Sequence, residues 1–553
     1  MNILLIAPRG QPGEHVGFQY LFPLGLAYIS SILKASGHTV TCLNLNHYQG
    51  NTQDILHARL KGDTTYHVAC TGGLSTQYAQ IKAIVEAIQS SGSKAKIVLG
   101  GGLISSEPEL MFETLKPDYV VVGEGEETIR ELAATLEQSG APSSVPGIGY
   151  CLADGRFITT PARKPITNID ALPWPDFDGF EFETYLDNLK PTDQYFYDHV
   201  DFPRVYPIVT SRSCPFQCTF CYHPIGTQYR QRSLNSVMQE LETNVLRHKI
   251  NTLAIYDELF TNDIARVYDF CERITRLRSK LSWELRWGCQ MRVNKIDDKL
   301  LATMRDAGCY MVSYGFESYS LKVLSSMKKH ITPPEIARAV DLTLKNHISI
   351  QANFIFGDRA ETLETARETL DYWKAHTHAG IQLGFINPYP GTQLYDYCLE
   401  KGVIKDKLDF IAHHIFDVFN MTESLTDREF VQLQFEVFAC QLRNPATSVP
   451  SRVHLESNGT YTVTVTCPHC GHANHYANYA IAQPSFFNFM TYCRSCRHRF
   501  FMTSRLWRCF AKTILLFLAI TPMRLKVAIL ATLRKMWRAF LNRRSAQPVE
   551  ADK

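Results

Sequence analysis

Three cysteines in the run SRSCPFQCTFCYHP constrain this 553-residue chain more than any other feature. Cys214, Cys218 and Cys221 follow the spacing C-x3-C-x2-C, with Phe220 directly before the last cysteine. Three thiolates can ligate only three irons of a cubane 4Fe-4S cluster, which leaves the fourth iron with an open coordination position. The motif therefore predicts a cluster with one iron that is free to bind a substrate or a cofactor.

This spacing resembles that of the radical S-adenosylmethionine (SAM) enzymes. In that family the amino and carboxylate groups of SAM chelate the open iron, and the reduced cluster splits SAM to give a 5'-deoxyadenosyl radical. The resemblance implies two cofactors, a 4Fe-4S cluster and SAM. It also implies a protein electron donor, such as a flavodoxin or a ferredoxin.

Composition and cysteine use indicate a globular cytoplasmic protein. Hydrophobic residues make up 45% and charged residues 20% of the chain, whose length fits two to four domains. The start, MNILLIAPRG, has no basic stretch and turns polar after seven residues, so no signal peptide is predicted. Cysteines that are clustered rather than dispersed favour a reducing compartment over a disulfide scaffold.

Short apolar runs alternate with amphipathic stretches over residues 1–138. The stretches, such as PLGLAYISSILKASG, have helical periodicity, and each run is short enough for a buried strand. This alternation predicts an α/β domain with a Rossmann-like, doubly wound parallel sheet. The predicted strands are NILLIAP (2–8), HTVTCLNL (38–45), HVACTG (67–72), AKIVLGGG (95–102) and DYVVVGEG (118–125).

Small residues follow three of these strands, at the edge where such sheets bind ligands. Glycine there lets the backbone approach a large flat ligand. PLGLAYISSIL, VLGGGLISSEPE and VVGEGEETIREL also resemble the cobalamin-binding domain that precedes the barrel in one large radical SAM subfamily. The resemblance implies cobalamin as a cofactor, held by the strand-end residues Thr71, Gly72, Gly73, Ser75, Gly100, Gly101, Gly102, Gly123, Glu124, Gly125 and Glu126.

One departure concerns the axial ligand of cobalt. Many cobalamin proteins carry D-x-H-x-x-G after the first strand, and this chain lacks that signature. His47 and Gly50 give H-x-x-G, but Leu45 replaces the aspartate, and the segment follows the second predicted strand. We therefore interpret His47 as a loop histidine and leave the axial ligand unassigned.

Residues 139–203 are predicted to be a proline-spaced linker, and residues 204–415 a partial (β/α)6 barrel. The cysteine motif follows the first of six predicted barrel strands, RVYPIVTSR, as the resemblance to radical SAM enzymes requires. The resemblance also implies SAM contacts at later strand ends. The candidates are Asp257 and Glu258 for the SAM ammonium, Glu317 for the ribose hydroxyls, and Arg292.

A second cysteine group follows a predicted helical extension over residues 416–456. Cys467, Cys470, Cys493 and Cys496 form two C-x2-C knuckles 22 residues apart. Two such knuckles present four thiolates tetrahedrally, which predicts a structural Zn2+ ribbon over residues 457–503. A second iron-sulfur site is the alternative.

The C-terminal tail, residues 504–553, is basic and apolar at once. From residue 457 onward the chain has 14 basic and 2 acidic residues, against 43 basic and 52 acidic before it. The longest charge-free run of the tail, Thr513 to Met523, is too short to cross a bilayer. Amphipathic helices of this composition favour peripheral contact with the inner face of a membrane. Docking onto the protein itself is the alternative, and nucleic acid is the least favoured partner.

The resemblance implies a cobalamin-dependent radical SAM enzyme. In the commonest chemistry of that subfamily, methylcobalamin delivers a methyl group to a carbon or phosphinate radical on the substrate. The substrate is expected to be a small molecule or, on the basis of the basic and apolar tail alone, a lipid-linked compound. Cyclisation or ring rearrangement without methyl transfer is the first alternative. A tRNA methylthiotransferase is disfavoured because Cys42 and Cys70 have no partners at cluster spacing, and a non-catalytic interaction protein is disfavoured because the cysteine motif is complete.

Overall fold

The computed structural model describes residues 1–11, 13–194, 196–520 and 525. Its N-terminal part is built on a seven-stranded sheet in the order β2-β1-β3-β4-β5-β6-β7. The first five strands are parallel, and the last two pair antiparallel at one edge. The strands are β1 (Asn2–Ala7), β2 (Thr39–Asn44), β3 (Val68–Gly72), β4 (Lys96–Gly100), β5 (Tyr119–Val121), β6 (Ile148–Cys151) and β7 (Phe157–Thr159).

Both faces of this sheet are buried, which explains why its strands read as continuous apolar runs. Along β1, Ile3 and Leu5 pack into one cluster while Leu4 and Ile6 pack into the other. The predicted doubly wound sheet is confirmed, and β6 and β7 extend it into the range predicted as linker. Its helices are α1 (Leu24–Ala35), α2 (Thr52–Leu60), α3 (Tyr78–Ser90), α4 (Gly102–Ser106), α5 (Pro108–Leu115) and α6 (Glu126–Glu137), and α7 (Phe182–Asn188) precedes the barrel.

Six parallel strands form the second sheet, in the order β15-β14-β13-β12-β11-β8, and a short antiparallel pair lies beside it. The edge strands of the six, β8 and β15, do not pair with each other, so the predicted partial barrel is confirmed. Its strands are β8 (Val205–Ile208), β11 (Thr252–Ile255), β12 (Arg286–Met291), β13 (Cys309–Glu317), β14 (Ser349–Phe356) and β15 (Ile381–Phe385), and the short pair is β9 (Ser211–Arg212) with β10 (Arg230–Gln231).

Helices follow the strands of the barrel and close its outer surface. The helix α16 lies within the range predicted as helical extension, and it packs against α13. These helices are α8 (Leu234–Arg247), α9 (Ile264–Ser279), α10 (Asp298–Asp306), α11 (Leu321–Ser326), α12 (Pro333–Lys345), α13 (Leu363–Ala375), α14 (Gln393–Glu400), α15 (Lys407–Asp409) and α16 (Asp427–Arg443).

Two three-stranded sheets form a small C-terminal unit with its own core, which includes Val463, Tyr476 and Phe500. A buried ion pair between Arg499 and Asp198, 2.7 Å long, joins this unit to the segment before the barrel. The strands are β16 (Thr447–Ser448), β20 (Asn488–Tyr492) and β21 (Arg499–Thr503) in one sheet, and β17 (Arg452–Leu455), β18 (Tyr461–Thr466) and β19 (Ala473–Tyr479) in the other.

The last helix, α17 (Arg505–Ile520), begins the predicted amphipathic tail and packs against α16. The rest of that prediction, residues 521–524 and 526–553, lies outside the described residues. Within the described part of the chain, no helix has the length and apolar character that crossing a membrane requires.

Candidate active site

The three cysteines lie in the loop between β9 and β10, and the barrel anchors this loop at several points. The backbone N–H of Thr219 donates to the Met327 carbonyl (3.1 Å), and the Thr219 carbonyl accepts from Leu394 (2.9 Å). The Arg292 guanidinium lies 3.7 Å above the ring of Phe216, between the first two cysteines. The predicted SAM contact Arg292 is thereby placed against the cysteine loop itself.

Positive charge surrounds the thiols of this loop. A hydrogen bond with Cys221, followed by the charges of Lys329 and Arg292, lowers the pKa of Cys218 to about 6. The same hydrogen bond raises the pKa of Cys221, and burial raises that of Cys214, so Cys218 is the thiol that ionises first. Lys329 in turn forms a buried ion pair with Glu317, with 2.7 Å between Nζ and Oε1. Iron binds thiolates rather than thiols, so this donor set fits a cluster.

The residue after the last cysteine ties the loop to the N-terminal domain. Tyr222 lies beside Ser105 and Ser106 at α4, and its burial raises the pKa of the phenol to about 12. Its ring lies so close to Gly391 and Gly102 that a Cβ at Gly391 would overlap it. The cysteine loop is therefore held between the barrel and the strand-end loops of the first domain.

A cavity of about 790 Å³ separates the carboxyl ends of the N-terminal strands from the barrel. Barrel residues, among them Arg212, Tyr256 and Glu258, line its opposite side. Of the residues predicted to hold cobalamin, two, Ser75 and Gly102, are not part of its lining. The predicted residues that line it are Thr71, Gly72, Gly73, Gly100, Gly101, Gly123, Glu124, Gly125 and Glu126.

Glycines at this edge have two physical roles. A Cβ at Gly72 would overlap the carbonyl oxygen of Gly100, so glycine there lets two strand ends approach each other. A Cβ at Gly100 would meet only Val121, at 3.8 Å, and one at Gly123 would meet nothing within 4 Å. Gly123 also has a φ of +83°, which side chains disfavour. Gly100 and Gly123 thus keep open the space that a flat macrocycle needs.

Glu124 and Glu126 bind arginines of the barrel segment. Arg212 donates to Glu124 (2.9 Å) and to Glu126 (2.6 Å), and Arg230 donates to Glu124 (2.8 Å). All four side chains are nine-tenths buried or nearly so. These two acids therefore join the domains as well as lining the cavity. The sequence analysis did not predict these ion pairs, because each arginine stands 86 or more residues from the glutamate that it binds.

Asp257 and Glu258 face different surroundings although they are neighbours. Both oxygens of Asp257 accept hydrogen bonds, from the backbone N–H and hydroxyl groups of Thr210 and Ser211 at 2.5–3.0 Å. Asp257 is thus buried in the joint between β11 and β9. Glu258 lines the cavity, where burial and the charge of Asp257 raise its pKa.

Glu317 ends β13 with a φ of +62°, a conformation that non-glycine residues adopt rarely. Its ion pair with Lys329 brings it within the electrostatic reach of Cys218 and Cys221. The predicted site residues Arg292 and Glu317 are therefore both gathered around the cysteine loop. Lys329, which the sequence analysis did not predict, lies in the segment after α11 and joins this group through its ion pair with Glu317.

Both ring nitrogens of His47 have partners within the protein. Its Nδ1 lies 2.7 Å from Glu181 Oε2, and its Nε2 lies 2.7 Å from the hydroxyl of Tyr20. Burial lowers the pKa of His47. These contacts agree with its interpretation as a loop histidine.

The four C-terminal cysteines come together as their spacing predicts. Their Sγ atoms all lie within 4.8 Å of one another, with 3.8 Å between Cys467 and Cys496 and 3.7 Å between Cys470 and Cys493. A tetrahedron with Zn–S bonds of about 2.3 Å has edges of about 3.8 Å. A cubane cluster would hold its four thiolates farther apart, because each binds a different iron.

The partial barrel and the cysteine loop after its first strand define a radical SAM enzyme, and comparison with known proteins agrees. The radical SAM superfamily model matches residues 208–372, and the B12 binding domain model matches residues 16–133. The uncharacterized methyltransferase PH0819 of Pyrococcus horikoshii is 30% identical over 408 residues, which cover 73% of this chain and 84% of that protein. The chain belongs to the family of radical SAM enzymes that carry a B12-binding domain.

Two further similarities extend this result. The anaerobic magnesium-protoporphyrin IX monomethyl ester cyclase of Rubrivivax gelatinosus is 27% identical over 424 residues, which cover 74% of this chain and 73% of that protein. The solved structure of the radical SAM methyltransferase TsrM from Kitasatospora setae has the same fold, with a TM-score of 0.58 and 22% identity over 72% of this chain and 76% of that one. The expected cofactors, a 4Fe-4S cluster, SAM and cobalamin, are those of this family.

Proposed function

We propose that this protein is a methyltransferase that combines a 4Fe-4S cluster, SAM and cobalamin. The observation that carries the proposal is the shared cavity, which places the glycine-rich strand ends of the B12-binding domain opposite the barrel residues beside the cysteine loop. A relative of 30% identity over most of its length is also named a methyltransferase. The substrate is expected to gain its methyl group on a carbon or phosphorus atom.

Different residues of the site bind different cofactors. Cys214, Cys218 and Cys221 hold the cluster, and the open space beside Gly100 and Gly123 receives the corrin. When bound, the cofactors supply the radical and the methyl group, chemistry that no side chain provides. The polypeptide binds and orients them and excludes water from the space between the two domains.

Around SAM, we assign the contacts to side chains at the cavity and around the cysteine loop. Glu258 faces the cavity and is the carboxylate that receives the SAM ammonium. Glu317 and Arg292 bind SAM beside the cysteine loop. Asp257 supports them by fixing the end of β11, because all its hydrogen bonds are made within the protein.

Labelled SAM tests the proposal. The reduced protein, reconstituted anaerobically with iron, sulfide and hydroxocobalamin, is incubated with SAM carrying a radioactive methyl group. We expect the label to be recovered with the cobalamin. A protein that cleaves SAM but leaves the cobalamin unlabelled would not be a methyltransferase.

The cyclase from Rubrivivax gelatinosus favours a second candidate, an oxidative cyclisation without methyl transfer. The same incubation separates the two activities. Consumption of SAM with formation of 5'-deoxyadenosine, without labelled cobalamin, would favour the cyclase chemistry.

The C-terminal unit is proposed to be a zinc ribbon. Four thiolates within 4.8 Å suit one tetrahedral Zn2+, which would stabilise a fold with a small core. We further propose a cobalamin domain from residue 1 that includes β6 and β7, beyond the expected bound of 138, then a connecting segment to 203 and the barrel to 415. The helical extension ends with α16, because β16 and β17 already belong to the ribbon unit, which runs to 503. Metal analysis of the purified protein tests the zinc assignment.

Peripheral membrane contact and a lipid-linked substrate are proposed from α17. Leu516 (65% exposed) and Phe517 (37%) face solvent near its end, and Arg505, Arg508 and Lys512 lie closer to its beginning. Such helices lie in the interface of anionic membranes. Sedimentation with anionic and with neutral vesicles tests the membrane contact.

For the reduction of the cluster, a flavodoxin or ferredoxin is the proposed electron donor.

A further inference from the structure

A second cavity lies between the open edge of the barrel and the C-terminal unit. Its volume is about 690 Å³, and we call it the side chamber. The strand β15 forms one wall with Ile381 and Leu383, and the strands β20 and β21 form another with Phe489 and Phe501. The C-terminal unit therefore lies beside the β15 edge of the barrel, with the side chamber between them.

The side chamber continues into the cavity assigned to cobalamin. Gln11, Gln19 and Gln194 line both spaces, so they mark the junction. Within the described part of the chain, no hydrogen bond engages the side chains of these three glutamines. Three carboxamides are thus available to a ligand where it would enter the reaction space.

The opposite end of the chamber lies beneath α17. Trp507 and Ala511 line it there, and the ring of Trp507 is held by Phe486 at 5.1 Å between centroids. Trp507 and Ala511 make this end mostly apolar, with Arg508 as its charged residue, whereas the three glutamines make the junction polar. A ligand that spans the chamber would therefore direct its polar end toward the cobalamin cavity and its apolar end toward α17.

The lining also limits the charge of such a ligand. Among the described residues that line it, Asp198 is paired with Arg499, and Asp193 accepts a hydrogen bond from the backbone N–H of Lys190 (2.7 Å). The charges of Asp193 and Arg508 are opposite, so the lining offers no excess charge of one sign to a ligand. Carboxamides outnumber the charges, and a carboxamide both donates and accepts, as a hydroxyl group does. Gln441 donates to the Leu383 carbonyl, Asn444 accepts from Ala446, and Gln382 contacts Met490, so the ligand is met chiefly by the glutamines at the junction. The carboxamides are Gln11, Gln19, Gln194, Gln382, Gln441, Asn444 and Asn488.

We propose that the side chamber binds the substrate, and that the substrate is an amphiphile with an uncharged, hydroxyl-bearing head and an apolar tail. The head hydrogen-bonds with the glutamines at the junction and reaches the cofactors. The tail packs against Trp507 and the aromatic residues of β20 and β21, with its far end toward the membrane-facing helix. This inference rests on the proposed function for the reaction, but the binding it describes needs no turnover.

The probe is radiolabelled n-octyl β-D-glucoside, kept below its micelle-forming concentration and dialysed to equilibrium against the reconstituted full-length protein. We expect saturable binding of one molecule per chain. Glucose, which lacks the tail, and octyl sulfate, whose head is an anion, are expected to bind at least tenfold more weakly. Octyl sulfate binding as tightly as the glucoside would overturn the proposed uncharged head.

Two substitutions from different walls test the location. Ala511→Trp fills the chamber from α17, and Asn488→Trp fills it from β20, so each is expected to weaken glucoside binding at least tenfold. The matched control is Leu516→Trp on the exposed side of α17, which should bind as the unchanged protein does. Circular dichroism and zinc content verify the fold of each variant.

Unchanged binding in both chamber variants, or an equal loss in Leu516→Trp, would place the glucoside on the outer surface of α17 and overturn the proposal. Transfer of the SAM methyl group to cobalamin is measured on the same preparations without any substrate. If no methyl group reaches the cobalamin, the proposed methyltransferase activity is refuted, but the glucoside binding result still stands. The two proposals can therefore fail independently.

Discussion

Arg212 donates to Glu126 across the boundary between the barrel and the B12-binding domain, with 2.6 Å between Nη2 and Oε1. Arg212 stands two residues before Cys214, and Glu126 begins α6 at the rim of the large cavity. Since both side chains are about nine-tenths buried, this ion pair fixes the distance between the predicted cluster and the predicted corrin site.

Replacing Arg212 with Leu should weaken the joint between the domains. The substitution leaves Glu126 buried without its partner, a change that costs about 3–5 kcal/mol in typical proteins. Urea denaturation measures the loss, and the affinity for cobalamin should fall with it. The control Arg130→Gln removes an exposed ion pair with Glu127 and should cost less than about 1 kcal/mol. Equal effects of the two variants would contradict the structural role of Arg212.

Two glycines of the cavity edge should respond differently to alanine. In Gly100→Ala the new Cβ enters open space, so stability should hold while the affinity for cobalamin falls about tenfold. In Gly72→Ala the new Cβ overlaps a backbone oxygen of the next strand, so the free energy of unfolding should fall by about 1–3 kcal/mol. Cobalamin titration and urea denaturation together distinguish the two effects, and cobalamin affinity unchanged in Gly100→Ala would remove Gly100 from the site.

The alternation of apolar runs was enough to predict both parallel sheets, because each strand is buried on two faces. The contacts across the domain boundary were not predictable in the same way. Glu124 at a strand end looks like a ligand contact, yet its partner Arg230 stands 106 residues away and meets it only after the domains dock. Likewise, Asp257 and Glu258 are both carboxylates at one strand end, and only the backbone direction decides which of them is buried.

A buried carboxyl in the barrel should make stability depend on pH. Burial is the main cause that raises the pKa of Glu361 to about 7, above that of an exposed glutamate. The folded state then binds this proton more tightly, so stability should rise as the pH falls from about 7 toward about 4.5. The gain should be on the order of 2–3 kcal/mol. Urea midpoints across this range measure it.

The control for this pH dependence is Glu361→Gln, which keeps the shape of the side chain and cannot ionise. This variant should lose the Glu361 share, so its stability should gain about 2–3 kcal/mol less than that of the unchanged protein between pH 7 and 4.5. If the variant and the unchanged protein show the same slope, Glu361 does not carry the effect.

The zinc and iron sites should be separable by single cysteine substitutions. Cys470→Ser removes one of four thiolates and should abolish zinc binding while the iron content of the reconstituted protein is retained. The exposed Cys509 lies in α17, outside both groups, so Cys509→Ser is the matched control and should keep both metals. Loss of iron together with zinc in Cys470→Ser would contradict two independent sites.

The most direct measurement compares the unchanged protein with Cys218→Ala, both reconstituted anaerobically, reduced and given cobalamin and SAM with a radioactive methyl group. The unchanged protein should hold about four irons beyond any in the ribbon and pass the label to cobalamin. Cys218→Ala should lose this iron, with its zinc unchanged, and should no longer cleave SAM with release of 5'-deoxyadenosine. Equal iron content and equal SAM cleavage in the two proteins would contradict the assignment of Cys214, Cys218 and Cys221 to the cluster.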